Sequence, residues 1–296
     1  MRKITDELAG GKVLVSDGAW GTYLQQKGLM PGKCPEEWNI SRASDVFDIA
    51  RSYIEAGADM VETNSFGGSR FKLAKYGFED RVYEFNKAAA EISRNAAGPD
   101  RFVLGSVGPT GKLLIMEEVT EQELYDAFRE QAMALEAGGV NAIMIETMTD
   151  LDEARIAVRA AKENTSIEVF CTMTFEKIIG GGYRTMMGIS PAEMAEALIG
   201  EGADLIGTNC GNGIEDMIGM VKEIREVSRD IPVLVHANAG MPRYNDGVTT
   251  FPESPDDMAL RVREIVEAGA NIVGGCCGTT PDHICKVREV VKSLSK

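Results

Sequence analysis

Cys210 and the adjacent pair Cys276 and Cys277 are the residues best suited to chemistry in this chain. They close two short apolar runs, Ala203-Asp-Leu-Ile-Gly-Thr-Asn-Cys210 and Ala270-Asn-Ile-Val-Gly-Gly-Cys-Cys277. If those runs are strands of one parallel sheet, three thiols meet at one mouth. Three thiolates hold Zn2+ with one tetrahedral position open, which is the arrangement of a catalytic site and not of a closed structural one. Neighbours on a regular strand face opposite ways. Gly274, Gly275 and Gly278 relieve that restriction by permitting unusual backbone angles, so both thiols can turn toward one ion. Cys34, Cys171 and Cys285, each alone, read as small hydrophobes. A redox dithiol fits less well, since the chain has no Cys-x-x-Cys.

A zinc ion with three thiolates carries a formal negative charge. It can still take a fourth thiol and strip its proton, because a metal-bound thiol is deprotonated outright. A free thiol, with a pKa of ~8.5, is mostly protonated at neutral pH. Activating a thiol is therefore the natural task. Hydrolysis fits less well, since zinc hydrolases favour His and carboxylate ligands, and the only histidines are His236 and His283. Asp17 and Glu146 end the first and fourth apolar runs and could receive an ammonium group. Gly18 and Gly21, flanking Ala19 and Trp20, leave backbone N–H groups able to cradle a carboxylate. Together these describe a site for a thiol-bearing amino acid. Taken singly, Asp17 reads as a turn residue and Glu146 as a cap or rim salt bridge. Asn238 reads as a loop hydrogen-bonder, or as a filler of the metal's open position.

The elements that must position these groups are eight short apolar runs, at 13–20, 58–66, 102–109, 142–148, 169–175, 203–210, 232–240 and 270–277. They are rich in Val, Ile and Met with little alternation, as strands buried on both faces are. Amphipathic segments separate them. Glu121 to Ala137 puts Leu124, Ala127, Phe128, Ala132 and Leu135 on one face, and Thr120 with Glu123 makes a capping box. Ser190, Ser254 and Thr280 each place a capping hydroxyl before a proline. An internal repeat, Glu55-Ala-Gly-Ala-Asp59, Gly200-Glu-Gly-Ala-Asp204 and Glu267-Ala-Gly-Ala-Asn271, with a looser copy at Glu136-Ala-Gly-Gly-Val-Asn141, ends a helix on glycine before alternate strands. Eight such units predict an α/β fold, a single (β/α)8 TIM barrel occupying residues 1–296 as one domain. An open doubly wound sheet is the weaker alternative, because no Gly-x-Gly-x-x-Gly follows the first strand. Gly180, Gly181 and Gly182 read as a flexible rim loop.

The 296 residues, 44% hydrophobic, suffice for a large core. The net charge of -15 repels phosphate backbones and argues against nucleic acid and anionic membranes as partners. No run reaches the ~18 apolar residues of a membrane span. The start lacks the apolar core of a signal peptide, so the expected location is cytoplasmic. Six cysteines in such a chain suggest metal binding or catalysis before disulfides.

Asp17-Gly-Ala-Trp-Gly-Thr22, Glu62-Thr-Asn-Ser-Phe66, Gly207-Thr-Asn-Cys210 and Gly274-Gly-Cys-Cys-Gly-Thr-Thr-Pro281, in this order, resemble the homocysteine S-methyltransferase family. The likeness runs from about Val13 to His283. It implies a (β/α)8 barrel that binds zinc through Cys210, Cys276 and Cys277, with L-homocysteine as fourth ligand. The amino group would fall to Asp17 and Glu146. The carboxylate would fall to the turn amides of Gly18, Ala19, Trp20 and Gly21. The implied reaction is methyl transfer to the thiol, yielding methionine. The runs Gly108-Pro-Thr-Gly111 and Asn238-Ala-Gly240 look most like the homocysteine module of cobalamin-dependent methionine synthase. A methylcorrinoid such as methylcobalamin, carried by a separate protein, is then the implied donor. S-methylmethionine, S-adenosylmethionine, a betaine, another thiol acceptor and the demethylating direction stay open. So do a zinc hydrolase on the same barrel and a barrel that zinc merely holds shut. His236 stands where the family carries another residue, and Trp20 is placed to tune the choice of donor or acceptor.

Overall fold

The computed structural model describes residues 2–245 and 248–294. Eight parallel strands form the wall: β1 (Leu14–Val15), β2 (Met60–Glu62), β3 (Phe102–Val107), β4 (Ala142–Met148), β5 (Glu168–Met173), β6 (Leu205–Gly213), β7 (Val233–Asn238) and β8 (Ile272–Gly275). Hydrogen-bonded neighbours run β1-β8-β7-β6-β5-β4-β3-β2, so chain order is also the order around a TIM barrel. Outside them pack α1 (Ala43–Glu55), α2 (Val82–Ala97), α3 (Glu121–Ala137), α4 (Leu151–Asn164), α5 (Pro191–Gly200), α6 (Ile214–Val227), α7 (Pro255–Ala268) and α8 (Pro281–Leu294).

Both faces of the wall are apolar, which is why the strands show no polar alternation. Leu14, Met60, Phe102, Leu104, Met144, Phe170, Leu205, Leu234 and Ile272 point inward and fill the bore. Ile4 and Leu8, from the turn before β1, plug its lower end. The alternate residues, among them Val15, Val61, Val103, Ile143, Val169, Ile206 and Val273, face the helices. The bore is therefore solid, and only its upper rim, at the carboxyl ends of the strands, is left for chemistry.

The internal repeat has a mechanical meaning that goes beyond its glycine. Gly57, Gly139, Gly202 and Gly269 all adopt positive φ and stop their helices. The residue two further on then clamps the preceding strand at two points. Asp59 donates its N–H to Val15 O (2.7 Å) and accepts Val15 N–H on Oδ2 (3.0 Å). Asn141 does the same to Val103, at 2.8 and 2.9 Å. Asp204 does so to Val169, at 2.8 and 2.7 Å, and Asn271 to Val233, at 2.8 and 2.9 Å. Each clamp is held by a base: Arg288 on Asp59, Arg94 on Asn141, Lys162 on Asp204 and Arg225 on Asn271. The Asp59 clamp matters most. No strand ladder joins β1 to β2, and these bonds cross the gap.

The capping box expected at Thr120 is present, and the capping hydroxyls expected at Ser190 and Ser254 form full boxes with Glu193 and Asp257. Thr280 departs from expectation. Its N–H and hydroxyl meet Nδ1 of His283 (3.2 and 2.9 Å), so a ring nitrogen stands at the start of α8. Six of the eight strands are shorter than their apolar runs; β4 matches its run and β6 continues past its own to Gly213. The run at 13–20 yields only Leu14–Val15 as strand, although Ser16 N–H and Asp17 O still bond to β8 (3.0 and 2.8 Å). The glycines at 180–182 sit in a small hairpin, Glu176–Lys177 with Tyr183–Arg184, all three at positive φ.

Candidate metal centre and adjoining cavity

At the upper rim the ligand atoms of Cys210, Cys276 and Cys277 all lie within 4.8 Å of one another, and Cys210 Sγ is 3.9 Å from Cys277 Sγ. Three sulfurs at ~2.3 Å from a tetrahedral zinc would stand about 3.8 Å apart, so the donor set fits that ion. The charge balance points the same way. The Cys276 and Cys277 thiols hydrogen-bond to Cys210 and hold its pKa low, while that bond to Cys210 raises Cys276 and Cys277. Without a cation the cluster supports one thiolate and resists the next two. Asn238 adds a buried Oδ1 with no hydrogen-bond partner, beside Cys210.

Local backbone distortion brings these groups together. β6 bulges between Asn209 and Gly213, and Cys210 takes a φ of 60°, which turns its thiol off the regular strand direction. β4 bulges between Ile145 and Met148, with Thr147 also at φ 60°. Asn209 ties the two bulges. Its Oδ1 accepts from Thr147 N–H (2.8 Å) and Thr172 Oγ1 (2.7 Å), and its Nδ2 donates to Thr147 Oγ1 (2.7 Å) and Glu146 Oε2 (3.3 Å). Cys276 and Cys277 lie just past β8. Cys276 N–H bonds to Ala237 O (2.7 Å), and Ala239 N–H to Cys277 O (3.0 Å). Of the three glycines expected to free this turn, Gly278 alone has positive φ (81°). Gly274 and Gly275 serve close approach: a Cβ on the first would meet His236 and Ser16 at 2.8 Å, and on the second Thr279 at 2.2 Å.

A cavity of about 450 Å³ opens beside the thiols and reaches Glu62, Glu146, Trp20 and His236. Burial pushes the Glu62 carboxyl well above the usual range, with Glu146 and Asp17 adding to it. Burial also pushes Glu146 up to about 8 and Asp17 to about 6. His236, driven down to about 3 by burial, stays neutral. The cluster holds three acids and no formal cation.

The acids are not equivalent. Asp17 Oδ2 accepts from Trp20 Nε1 (2.9 Å) and Glu62 N–H (2.8 Å), and Oδ1 from Ser16 Oγ (3.2 Å). Glu146 accepts from Ser106 Oγ and Asn209 Nδ2. Glu62 Oε1 and His236 Nε2 are buried without hydrogen-bond partners. Glu146, Gly18, Ala19 and Trp20 line the cavity, whereas neither Asp17 nor Asn238 is part of its wall. Ala19 N–H is already engaged by Thr279 Oγ1 (3.1 Å), which leaves neighbouring turn amides for a ligand. His283 bonds outside the cavity, to Glu253 O (3.1 Å). Sequence reading singled out neither Glu62 nor Asn209 as a site residue. Their signal was their place in the motifs Glu62-Thr-Asn-Ser-Phe66 and Gly207-Thr-Asn-Cys210, at the end of β2 and next to Cys210.

Fold and site define a (β/α)8-barrel enzyme with a three-cysteine centre at its strand ends. The sequence profile described as homocysteine S-methyltransferase matches residues 14–291. The methionine synthase of Mycobacterium leprae is 34% identical over 309 residues, covering 98% of this chain and 25% of that protein. That of Mycobacterium tuberculosis is 34% identical over 304 residues, covering 96% and 25%. The metallated form of the homocysteine methyltransferase MmuM from Escherichia coli superposes with a TM-score of 0.80 at 20% identity, covering 96% of this chain and 98% of that one. The chain belongs to the homocysteine S-methyltransferase family. It spans about a quarter of the length of the methionine synthases it matches.

Proposed function

We propose that this protein transfers a methyl group to the thiol of L-homocysteine, giving methionine, with zinc at Cys210, Cys276 and Cys277 and a methylcorrinoid as donor. The observation that carries the reading is the convergence of three thiols, within 4.8 Å of one another, beside a cavity that Glu62 and Glu146 line at the same end. Zinc held by the thiols would supply the positive charge that strips the proton from the incoming thiol. Glu62 and Glu146 receive the ammonium. The free turn amides around Trp20 and Gly21 receive the carboxylate. Held at both ends, the acceptor sulfur is fixed in line for attack, which is a gain in positioning. Asn238 supports the centre from beside Cys210, with its unpartnered oxygen available to the open metal position. The corrinoid donor rests on the likeness to methionine synthases and on the motifs at 108–111 and 238–240.

The test is to incubate zinc-loaded protein with homocysteine and, separately, methylcobalamin, S-methylmethionine, S-adenosylmethionine or glycine betaine, and to assay methionine. Zinc X-ray absorption should gain one sulfur scatterer when homocysteine is added. A sulfur shell indifferent to homocysteine, together with no methionine from any donor, overturns the proposal.

A further inference from the structure

The cavity has a second charged end that the acceptor does not use. Lys72, on the short helix Arg70–Leu73, and Lys75, on the turn Ala74–Tyr76, both line it together with Phe66 and Tyr76. A Cβ built on Gly111 would lie 3.2 Å from Lys72 Nζ and 3.9 Å from Lys75 Nζ. The two ammonium groups therefore face one gap, which Gly111 leaves open at a φ of 75°. Neither makes an ion pair or side-chain hydrogen bond through Nζ among the described residues. The nearest acids are engaged elsewhere. Glu36 Oε1 accepts Gly67 N–H (2.7 Å) and Oε2 faces Cys34 Sγ (3.3 Å), while Glu153 Oε1 accepts Thr110 N–H (2.8 Å).

Some lysines of this acidic chain pair with carboxylates, as Lys162 does with Asp204 (2.9 Å) and Lys177 with Asp216 (2.8 Å), whereas Lys72 and Lys75 share one gap with each other. Two cations side by side repel, and the partial burial of Lys72 beside the exposed Lys75 adds to the cost, unless an anion sits between them. Burial first, and Lys75 second, hold the Lys72 ammonium below its usual pKa.

We propose that Lys72 and Lys75 form an anion subsite that takes a carboxylate or phosphate carried by the methyl donor. The assignment to the donor rests on the methyl-transfer reading above. An amino-acid acceptor bears its ammonium and carboxylate on one carbon, so both stay near Glu62, Glu146 and the turn at Trp20. The lysines are left to the second reactant.

The experiment compares zinc-loaded wild type with Lys72→Gln, Lys75→Gln and the double variant. Methylcobalamin, which has a phosphodiester, is run against methylcobinamide, which has none. S-methylmethionine, with a carboxylate, is run against trimethylsulfonium. The double variant should raise KM for an anion-bearing donor roughly tenfold, the scale of a charge-assisted contact. The anion-free counterpart and homocysteine should be unaffected. Which pair responds tells phosphate from carboxylate. A readout without turnover keeps this separate from the activity itself. Line broadening of the phosphorus NMR signal of inorganic phosphate should saturate with wild type and fail to do so with the double variant. Absence of saturable phosphate binding to wild type overturns the subsite. So does a KM change confined to homocysteine. Phosphate binding that depends on the lysines, with no methyl transfer from any donor, would retain the subsite and discard the donor.

Discussion

His236 Nδ1 lies 3.4 Å from Glu62 Oε1 at the end of two non-adjacent strands, and neither Glu62 Oε1 nor His236 Nε2 has a hydrogen-bond partner. This is the one place in the acidic cluster where polar capacity is both buried and unspent. An unsatisfied buried group is costly, and a ligand that satisfies it recovers that cost. Glu62 is therefore the carboxyl most in need of a donor, ahead of Asp17, whose oxygens already accept from Trp20, Ser16 and the β2 backbone.

Glu62→Gln should raise KM for homocysteine roughly tenfold or more with a smaller change in kcat, since a charge-assisted contact made equally in ground and transition states is lost. Asp17→Asn keeps an oxygen acceptor and should cost less in KM. Steady-state kinetics at saturating donor decide the order. A larger KM effect at Asp17 would return the ammonium to that residue.

The raised carboxyl pKa values give a pH signature. Glu146 is pushed up to about 8, by burial first, from an ordinary 4.5. A carboxyl that holds its proton longer when folded contributes stability that is fully present below the unfolded pKa. That stability is lost as pH rises through the folded one. The Tm of the substrate-free protein should thus fall between about pH 5 and about pH 8.5. Glu146→Gln, which cannot ionise, should flatten that fall and unfold at a higher temperature than wild type at the alkaline end. It should also weaken homocysteine binding. Thermal scans of zinc-loaded protein across the window check both. A wild-type Tm that climbs with pH relative to the variant would contradict the assignment.

The barrel was legible because a parallel sheet covered on both faces leaves a coarse mark, apolar runs separated by amphipathic ones. Both the β4 run at 142–148 and the helix from Glu121 to Ala137 have the expected bounds. The three thiols were legible because cysteine is scarce and the strand ends of a barrel share one rim. What escaped was set by backbone geometry and hydrogen-bond accounting. Cys210 reaches the centre through a positive φ on a non-glycine residue, a state that residue type does not announce. Asn209 stands one residue before Cys210, and only the hydrogen bonds show that its amide joins two bulges. Glu62 and Asp17 are both acids at strand ends, and only their partners tell the unsatisfied one from the satisfied one. The repeat was visible, but the role of its Asp and Asn as two-point clamps needed the strand register.

The ligand set can be read by removal. Cys210→Ser, Cys276→Ser and Cys277→Ser should each lose stoichiometric zinc and activity, because the hydroxyl is a poor substitute for a thiolate donor. Cys34→Ala and Cys285→Ala should retain both. Cys34 is buried, and its thiol is pushed up to about 12, by burial first and Glu36 second. Metal content after dialysis in reducing buffer is the measurement. Zinc retained in any one of the three serine variants would count against a three-cysteine centre.

The seam between β1 and β2 offers a test of the fold alone. Asp59 Oδ2 accepts Val15 N–H (3.0 Å) and Arg288 Nη1 (2.6 Å), and Oδ1 accepts Arg288 Nη2 (2.9 Å). Its backbone N–H closes the gap to Val15 O. Removing the carboxylate leaves the largely buried Arg288 charge uncompensated and frees the end of β1, where no ladder to β2 exists to hold it. Asp59→Ala should destabilise by roughly 3–5 kcal/mol, as breaking a buried pair does. Asp204→Ala removes the equivalent clamp between β5 and β6, but there a four-residue ladder remains and Lys162 is more exposed. Its cost should be nearer ~1 kcal/mol, typical of a single hydrogen bond or exposed pair. Urea unfolding of both variants at saturating zinc measures the difference. Equal losses would mean that the clamp works by the same local bond at every strand and that the barrel has no weak seam.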